Sequence, residues 1–399
     1  MDETVSEPSP TTETKAKATR RWTFRIPAYI LLPFYLMLIG VALRYGVHVR
    51  NTNQWGFIEY LRALCVYDCN AYERLALNGY EGRPSGFDKG DANNWAFFPF
   101  YSVMVWAISK LTGMSVLVAG SIFTCLLTVW AAILSWPLFE KRFRAYFLFC
   151  FFLFLGPFSY YFTTLYTEAL FILLTVAGFV LLKQKDYVTA GLTGALMSAT
   201  RSTGLLFIAA IIAAAAQNHI KDGGTLRGFF AGLWKRTDLL LAVALVPIGI
   251  SIFAVFLWFH SGDALAFQHI QRAWGRAFAN PFWNLWLTLK LQFESGNFRT
   301  ISTDLAFGLA AIFGMVISIV MAWKGRWDWA IFSLFGVLLP LSTNAYSMLR
   351  FVVGIAPILI MSAFIFSRWK WVFWLLLPVF LILDVFLLPT WISRSYYLM

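Results

Sequence analysis

The chain has 399 residues, of which 59% are hydrophobic and only 13% charged, with a mean hydropathy of +0.67. That composition excludes a soluble globular enzyme and describes a polytopic, all-α membrane protein. The formal charge of +12 would suggest nucleic acid in a soluble chain; here basic loops against the cytoplasm and anionic lipid headgroups account for it, and no nucleic-acid partner is expected.

Residues 1–26 are polar, rich in Ser, Thr, Pro and Glu, and lack the apolar core of a signal peptide. They read as a disordered cytoplasmic tail, followed by a single transmembrane domain over 27–399. A spanning helix needs roughly 20 apolar residues. Such runs occupy 27–47, 114–137, 145–161, 164–182, 239–259, 303–323, 329–345, 350–366 and 371–391. Two shorter ones, 187–200 and 204–217, flank Arg201. At about 14 residues each they would reach only about 21 Å, so Arg201 should lie below the membrane surface.

The stretch 96–112 is ambiguous, and charge decides it. If it lies along the interface, the tail and the loops near 140, 184, 228, 325 and 369 share the cytoplasmic side and hold 18 of the 32 Lys and Arg residues. Eleven spans follow, with interfacial helices in a first outer loop over 48–113 and a second outer loop over 261–300. The same parity brings Asp68, Glu168, Arg201, Asp263 to Arg276 and Arg350 to the outer face.

The first outer loop is polar, then aromatic, running from Tyr67-Asp68 through Asn78-Gly79-Tyr80 to Ala96-Phe97-Phe98-Pro99. Asp68 is its candidate reactive group, among other acids at Glu59, Glu73, Glu81, Asp88 and Asp91. Arg201, within Thr200-Arg201-Ser202-Thr203-Gly204, is expensive at membrane depth and needs a cavity or a partner. Its planar fork suits a phosphate, and an ion pair with Glu168 would serve equally. Glu168 itself stands in the first turn of a helix, where the dipole favours an acid. Gln268, Arg272 and Arg276 recur every four residues and would share a helical face, either holding a phosphate or facing lipid headgroups. Trp274 or Trp283 could stack on a sugar. Arg350 begins a span at the same face, where it could snorkel or join the site. Cys65 and Cys69 would share a helix face, an awkward geometry for a disulfide. No metal-ligand spacing appears among His or Cys and no cofactor is called for, although the acids could recruit a divalent ion.

These motifs together resemble a known family. Asp68 followed by Tyr72, Ala76 and Gly79-Tyr80, then Phe97-Phe98-Pro99, Thr167-Glu168, Arg201-Ser202-Thr203-Gly204, Gln271 to Arg276 and Arg350-Phe351 are similar to the second mannosyltransferases of glycosylphosphatidylinositol assembly, integral-membrane glycosyltransferases of the GT-C class. Tyr67 and Thr203 stand where that family would have Trp and Asn. The resemblance implies a GT-C-like bundle and inverting transfer of one hexose, in that class most often mannose, from a polyprenyl- or dolichyl-phosphate donor to a lipid or glycan acceptor at the non-cytoplasmic face. It implies Asp68 as the group serving the acceptor. The residues themselves offer Arg201, Arg350, Arg272 and Arg276 for the donor phosphate, with Glu168, Tyr72, Tyr80, Phe98, Ser202, Gln268 and Trp274 supporting. The chain length and the absence of a retrieval signal favour a bacterial plasma membrane over the endoplasmic reticulum. The rival expectation is a transporter or flippase of lipid-linked sugars, since buried arginine and broken helices also mark transport pathways.

Overall fold

In the computed structural model, which describes residues 27–82, 94–294 and 303–393, the chain is helical with no strand among the described residues. The expected tail lies outside that range, as do Asp88 and Asp91. Helix α1 (Ala28–Thr52) leads into two short helices, α2 (Phe57–Leu64) and α3 (Asp68–Asn78), and then α4 (Pro99–Thr112). The body follows as α5 (Val116–Ser135), α6 (Phe143–Leu155), α7 (Glu168–Lys183), α8 (Tyr187–Thr200) and α9 (Phe207–Lys221). After a short α10 (Leu226–Gly232) come α11 (Thr237–Leu245), α12 (Ile248–Ser261), α13 (Ala266–His269) and α14 (Pro281–Glu294). The chain closes with α15 (Thr303–Trp323), α16 (Trp327–Leu341), α17 (Met348–Val353), α18 (Ala356–Phe366) and α19 (Lys370–Ile392). Six stretches among the described residues are long and apolar enough to cross a bilayer: Ala28–Thr52, Val116–Phe139, Ser202–Lys221, Thr237–Ser261, Asp304–Trp323 and Lys370–Ile392. The protein is a multi-pass, all-α membrane protein.

Polar contacts sort the helix ends into two groups. At one end the Tyr146 hydroxyl donates to the Tyr29 carbonyl (2.6 Å), Lys183 Nζ to the Pro137 carbonyl (2.7 Å), and Lys185 pairs with Asp222 (3.1 Å). The amide of Trp327 donates to Gln217 Oε1 (3.0 Å) and Arg142 lies over the Phe364 ring. These are the loops in which the sequence concentrates Lys and Arg. At the other end Trp391 Nε1 donates to the Leu64 carbonyl (3.0 Å), the Tyr166 hydroxyl to Val66 (2.8 Å), His260 to Glu81 (2.8 Å), and the Ala279 amide to Ser342 (2.7 Å).

That second end departs from regular helices. The expected span 145–161 stops at Leu155, because Gly156-Pro157 follows and proline cannot continue the hydrogen-bond ladder. Residues 156–167 then run without α-helix, apart from a 3-10 turn at Ser159–Phe162, and Tyr160 through Thr167 are all buried. Irregular backbone at membrane depth survives only where protein satisfies it. Arg44 of α1, fully buried, does this: Nη1 donates to the Phe154 carbonyl (3.1 Å) and to Ser159, and Nη2 to Thr163 Oγ1 (3.1 Å). Two further expected spans are interrupted, 239–259 at Val246-Pro247 and 350–366 at Gly354-Ile355.

Candidate functional site

Asp68 is the first residue of α3, held at a corner that the chain turns sharply. Its predecessor Tyr67 adopts φ +52°, a conformation that costs a non-glycine residue on the order of 1–3 kcal/mol. Three constraints hold the corner. Trp391 takes the Leu64 carbonyl and Tyr166 that of Val66, while Cys65 and Cys69 form a disulfide. The disulfide corrects the sequence expectation: the helix breaks between the two cysteines, so they do not share a helical face, and their Cα atoms stand 5.0 Å apart.

From this corner Asp68 Oδ2 accepts from Arg350 Nη1 (2.5 Å) across 282 residues of sequence. Arg350, in the first turn of α17, is in turn 3.3 Å from Glu168 Oε1 through Nε. The same Glu168 oxygen accepts from Arg201 Nη1 (3.0 Å). Glu168 is 1% exposed at the start of α7, and its second oxygen is buried without a hydrogen-bond partner in the structure. Arg201 lies at the tip of a helical hairpin: α8 rises from Tyr187, Arg201 is extended (φ −155°), and α9 descends so that Asn218 Nδ2 meets the Tyr187 hydroxyl (3.1 Å). Gly204 permits the turn, since a Cβ there would stand 2.4 Å from the Ser198 amide nitrogen. The alternative of an ion pair between Arg201 and Glu168 is therefore realised, yet Arg201 keeps 16% of its side-chain surface exposed and Asp68 30%.

Arg276 completes the group. Burial lowers its affinity for its proton and the Arg350 charge lowers it further, whereas Asp68 raises it, which places the guanidinium within the field of the cluster. Its hydrogen bond goes to the neutral Gln271 side chain (2.9 Å), and among the described residues it forms no salt bridge. Three guanidiniums thus face two carboxylates. Arg201 also lies between the Phe171 and Phe351 rings (5.6 and 5.4 Å to the centroids) and lines a cleft of ≈ 20 Å³ with Thr203, Phe332, Pro340 and Ile355. That is room for about one water.

The remaining expected residues are placed differently. Gln268, Arg272 and Arg276 do not share a face: α13 ends at His269, a 3-10 turn follows, and Gly275 (φ +65°) reverses the chain before Arg276. Gln268 and Arg272 are exposed and only Arg276 turns inward. The Trp274 side chain lies outside the described residues. Tyr72 is buried behind Asp68, its hydroxyl 3.3 Å from Thr167 Oγ1 and its ring against Phe97 and Tyr101; burial raises its phenol well above the usual value, so it stays protonated. Tyr80 and Phe98 belong to an aromatic wall with Trp95, Phe253 and Phe267 that joins the segment between α3 and α4 to α12 and α13. Ser202 is exposed, and Trp283 faces outward on α14. Sequence reasoning missed Tyr166 and Trp391, which hold the corner, and gave Gln271 no role of its own, although its side chain accepts from Arg276. Among the described residues no group of three His, Cys, Asp or Glu side chains is placed to hold a metal. No family model matches the chain, and no curated protein matches it in sequence.

Proposed function

We propose that this protein is an inverting glycosyltransferase of the GT-C kind, moving one hexose, with mannose the first candidate, from a polyprenyl- or dolichyl-phosphate donor to a hydroxyl of a lipid or glycan acceptor. The observation that carries the reading is the chain of ion pairs running from Asp68 through Arg350 and Glu168 to Arg201 at one end of the bundle, with the Arg276 guanidinium in its field, so that positive charge exceeds negative by one. An inverting transfer needs a carboxylate for the acceptor proton and a cation for the leaving phosphate.

In the reaction the acceptor oxygen bonds to the anomeric carbon from the face opposite the phosphate, the carbon–phosphate-oxygen bond breaks, and the acceptor proton passes to Asp68. Arg350 orients Asp68 through its hydrogen bond to Oδ2, and a carboxylate with one oxygen engaged still has lone pairs for a hydroxyl. The lipid phosphate departs with the bonding electrons, and Arg201 and Arg276 take up its charge. Such preorganised cations are commonly the larger electrostatic contribution. The ≈ 20 Å³ cleft beside Arg201 requires a shift of α16 or α17 before a lipid phosphate enters, and Gly354-Ile355 supplies a hinge for α17.

The sorting of helix ends supports eleven traverses, with α8 and α9 counted singly and α11–α12 and α17–α18 as interrupted spans. It supports the basic end as cytoplasmic by charge. The Cys65–Cys69 disulfide supports an oxidising compartment around Asp68, since such bonds are rare in the cytosol. A bacterial plasma membrane with the site outward fits both. The breaks at Pro247 and Gly354 also suit the rival transport reading, because interrupted helices are common in transporters, and the assay must separate the two.

That assay follows single-sugar transfer from radiolabelled polyprenyl-phosphate-mannose to host lipid extracts by purified wild type and Asp68→Asn. Acceptor-dependent transfer, reduced by about 10²- to 10⁴-fold in the variant, is the expected result. Full activity in Asp68→Asn removes the base assignment. Failure of wild type to transfer from mannose or glucose donors, with movement of the intact donor across vesicles, establishes the transport reading instead.

A further inference from the structure

At the opposite, basic end of the bundle a second cavity, of ≈ 270 Å³, opens between the starts of α6 and α19. It is lined by Arg144, Lys370, Phe147, Leu148, Phe373 and Trp374, with Trp369 at its edge. Both cations are exposed, and among the described residues neither has a carboxylate within ion-pair distance. The nearest acid in sequence, Glu140, is paired with Arg142 (3.8 Å).

The two cations are also in the wrong place for the helices that carry them. Arg144 is the second residue of α6 and Lys370 the first of α19; neither helix has an acid in its first turn or a side-chain cap. A positive side chain at a helix N-terminus opposes the macrodipole, and although the Phe143, Ala145, Tyr146 and Val372 amides reach backbone carbonyls, no side-chain acceptor caps either start. An anion between the two helix starts would relieve both. The walls below the cations are Phe147, Phe373 and Trp374, the last 71% exposed, which no water-soluble anion needs. Cations at the rim, aromatic rings at headgroup level and an apolar wall beneath match a phospholipid entering sideways from the bilayer.

We propose that this cavity is a binding site for an anionic phospholipid of the cytoplasmic leaflet, its phosphate between Arg144 and Lys370 and an acyl chain along Phe147 and Phe373. The site is independent of the chemistry at Asp68, and the lipid binds there as a resident component rather than as a substrate.

The test counts lipids retained by the full chain in native mass spectrometry, titrated with phosphatidylglycerol, phosphatidylcholine or inorganic phosphate. Wild type should hold phosphatidylglycerol, and Arg144→Gln/Lys370→Gln should bind it about thirty-fold more weakly, the combined worth of two cations at a membrane surface. Arg144→Lys should retain most of the affinity. A control pair at the same end but off the cavity, Lys185→Gln/Arg227→Gln, should leave it unchanged. Equal phosphatidylglycerol affinity in wild type and the double variant overturns the proposal. So does a loss of the same size in the control pair, which would mean general surface charge. Inorganic phosphate displacing the lipid at millimolar concentration, or phosphatidylcholine binding as tightly, overturns the assignment to an anionic phospholipid. Should the double variant fail to purify, the single variants Arg144→Gln and Lys370→Gln carry the same comparison.

Discussion

Replacing Glu168 by Gln keeps the shape of the side chain and removes one charge from a buried network. Glu168 is 1% exposed and, among the described residues, is the carboxylate that links Arg201 (3.0 Å) and Arg350 (3.3 Å), which also share the Phe351 ring (5.4 and 5.3 Å to the centroid). Its two partners are 16% and 12% exposed, so water screens the loss poorly. Removing one partner of a buried ion pair costs roughly 3–5 kcal/mol, because the remaining charge stays desolvated. At about 2 °C per kcal/mol for a chain of this size, the variant in detergent should melt roughly 5–10 °C below wild type. The assay is thermal unfolding followed by intrinsic tryptophan fluorescence, run also on Arg201→Gln and the double variant. Since the double variant removes both charges, it should be less damaged than the sum of the single ones, with a coupling of at least about 1 kcal/mol. Wild-type melting of Glu168→Gln, together with additive single effects, would refute the buried network and with it the argument for a preorganised site.

Gly204→Ala should be among the most damaging single-methyl changes in the chain. Its Cβ would lie 2.4 Å from Met197 and Ser198 backbone atoms, so the tip of the α8–α9 hairpin must open and carry Arg201 away from Glu168. Loss of folded protein on size exclusion, or a stable variant whose sugar transfer collapses, is the expected outcome; a stable, fully active variant would contradict the hairpin geometry. Cys65→Ser/Cys69→Ser should lower stability by about 2 kcal/mol, as the loop-closure estimate gives for so short a ring. Thiol labelling of wild type should detect two fewer reactive cysteines before reduction than after.

The bundle was legible because its two signals, apolar runs near bilayer length and basic loops, act on every span at once. The half-length reading of the pair flanking Arg201 held on one side alone: α8 (Tyr187–Thr200) has 14 residues, whereas the expected short run 204–217 belongs to Ser202–Lys221, a continuous 20-residue stretch long enough to cross. The outer ends were not legible. Residues 145–161 read as one apolar run because Tyr and Phe count as apolar wherever they sit, and only Gly156-Pro157 signals that the backbone leaves the helix there. Its compensation, Arg44, lies more than a hundred residues away and looks from sequence like an ordinary arginine inside a span. The four-residue period of Gln268, Arg272 and Arg276 misled because it presumes a continuous helix, and Gly275 at φ +65° interrupts it. Asp68 and Arg350 could be assigned to one face by counting spans, but their direct contact is a tertiary fact that no local rule contains.

The two ends of the molecule share one electrostatic device. At the Asp68 end the acids neutralise two guanidiniums and leave Arg276 with only an amide for a partner; at the basic end Arg144 and Lys370 stand beside uncapped helix starts with no acid at all. Neither arrangement is favoured by itself: Arg276 is a cation without a counter-charge in a partly buried setting, and the exposed Arg144 and Lys370 oppose the dipoles of the helices they begin. They become favourable once an anion arrives, and a membrane supplies anions of one recurring kind, a phosphate carried on a lipid. The geometry around each site then separates their uses. The Asp68 cluster sets a carboxylate beside its cations and has a group able to take a proton, whereas the cavity at the basic end sets only aromatic and apolar walls beside its own and is built to bind.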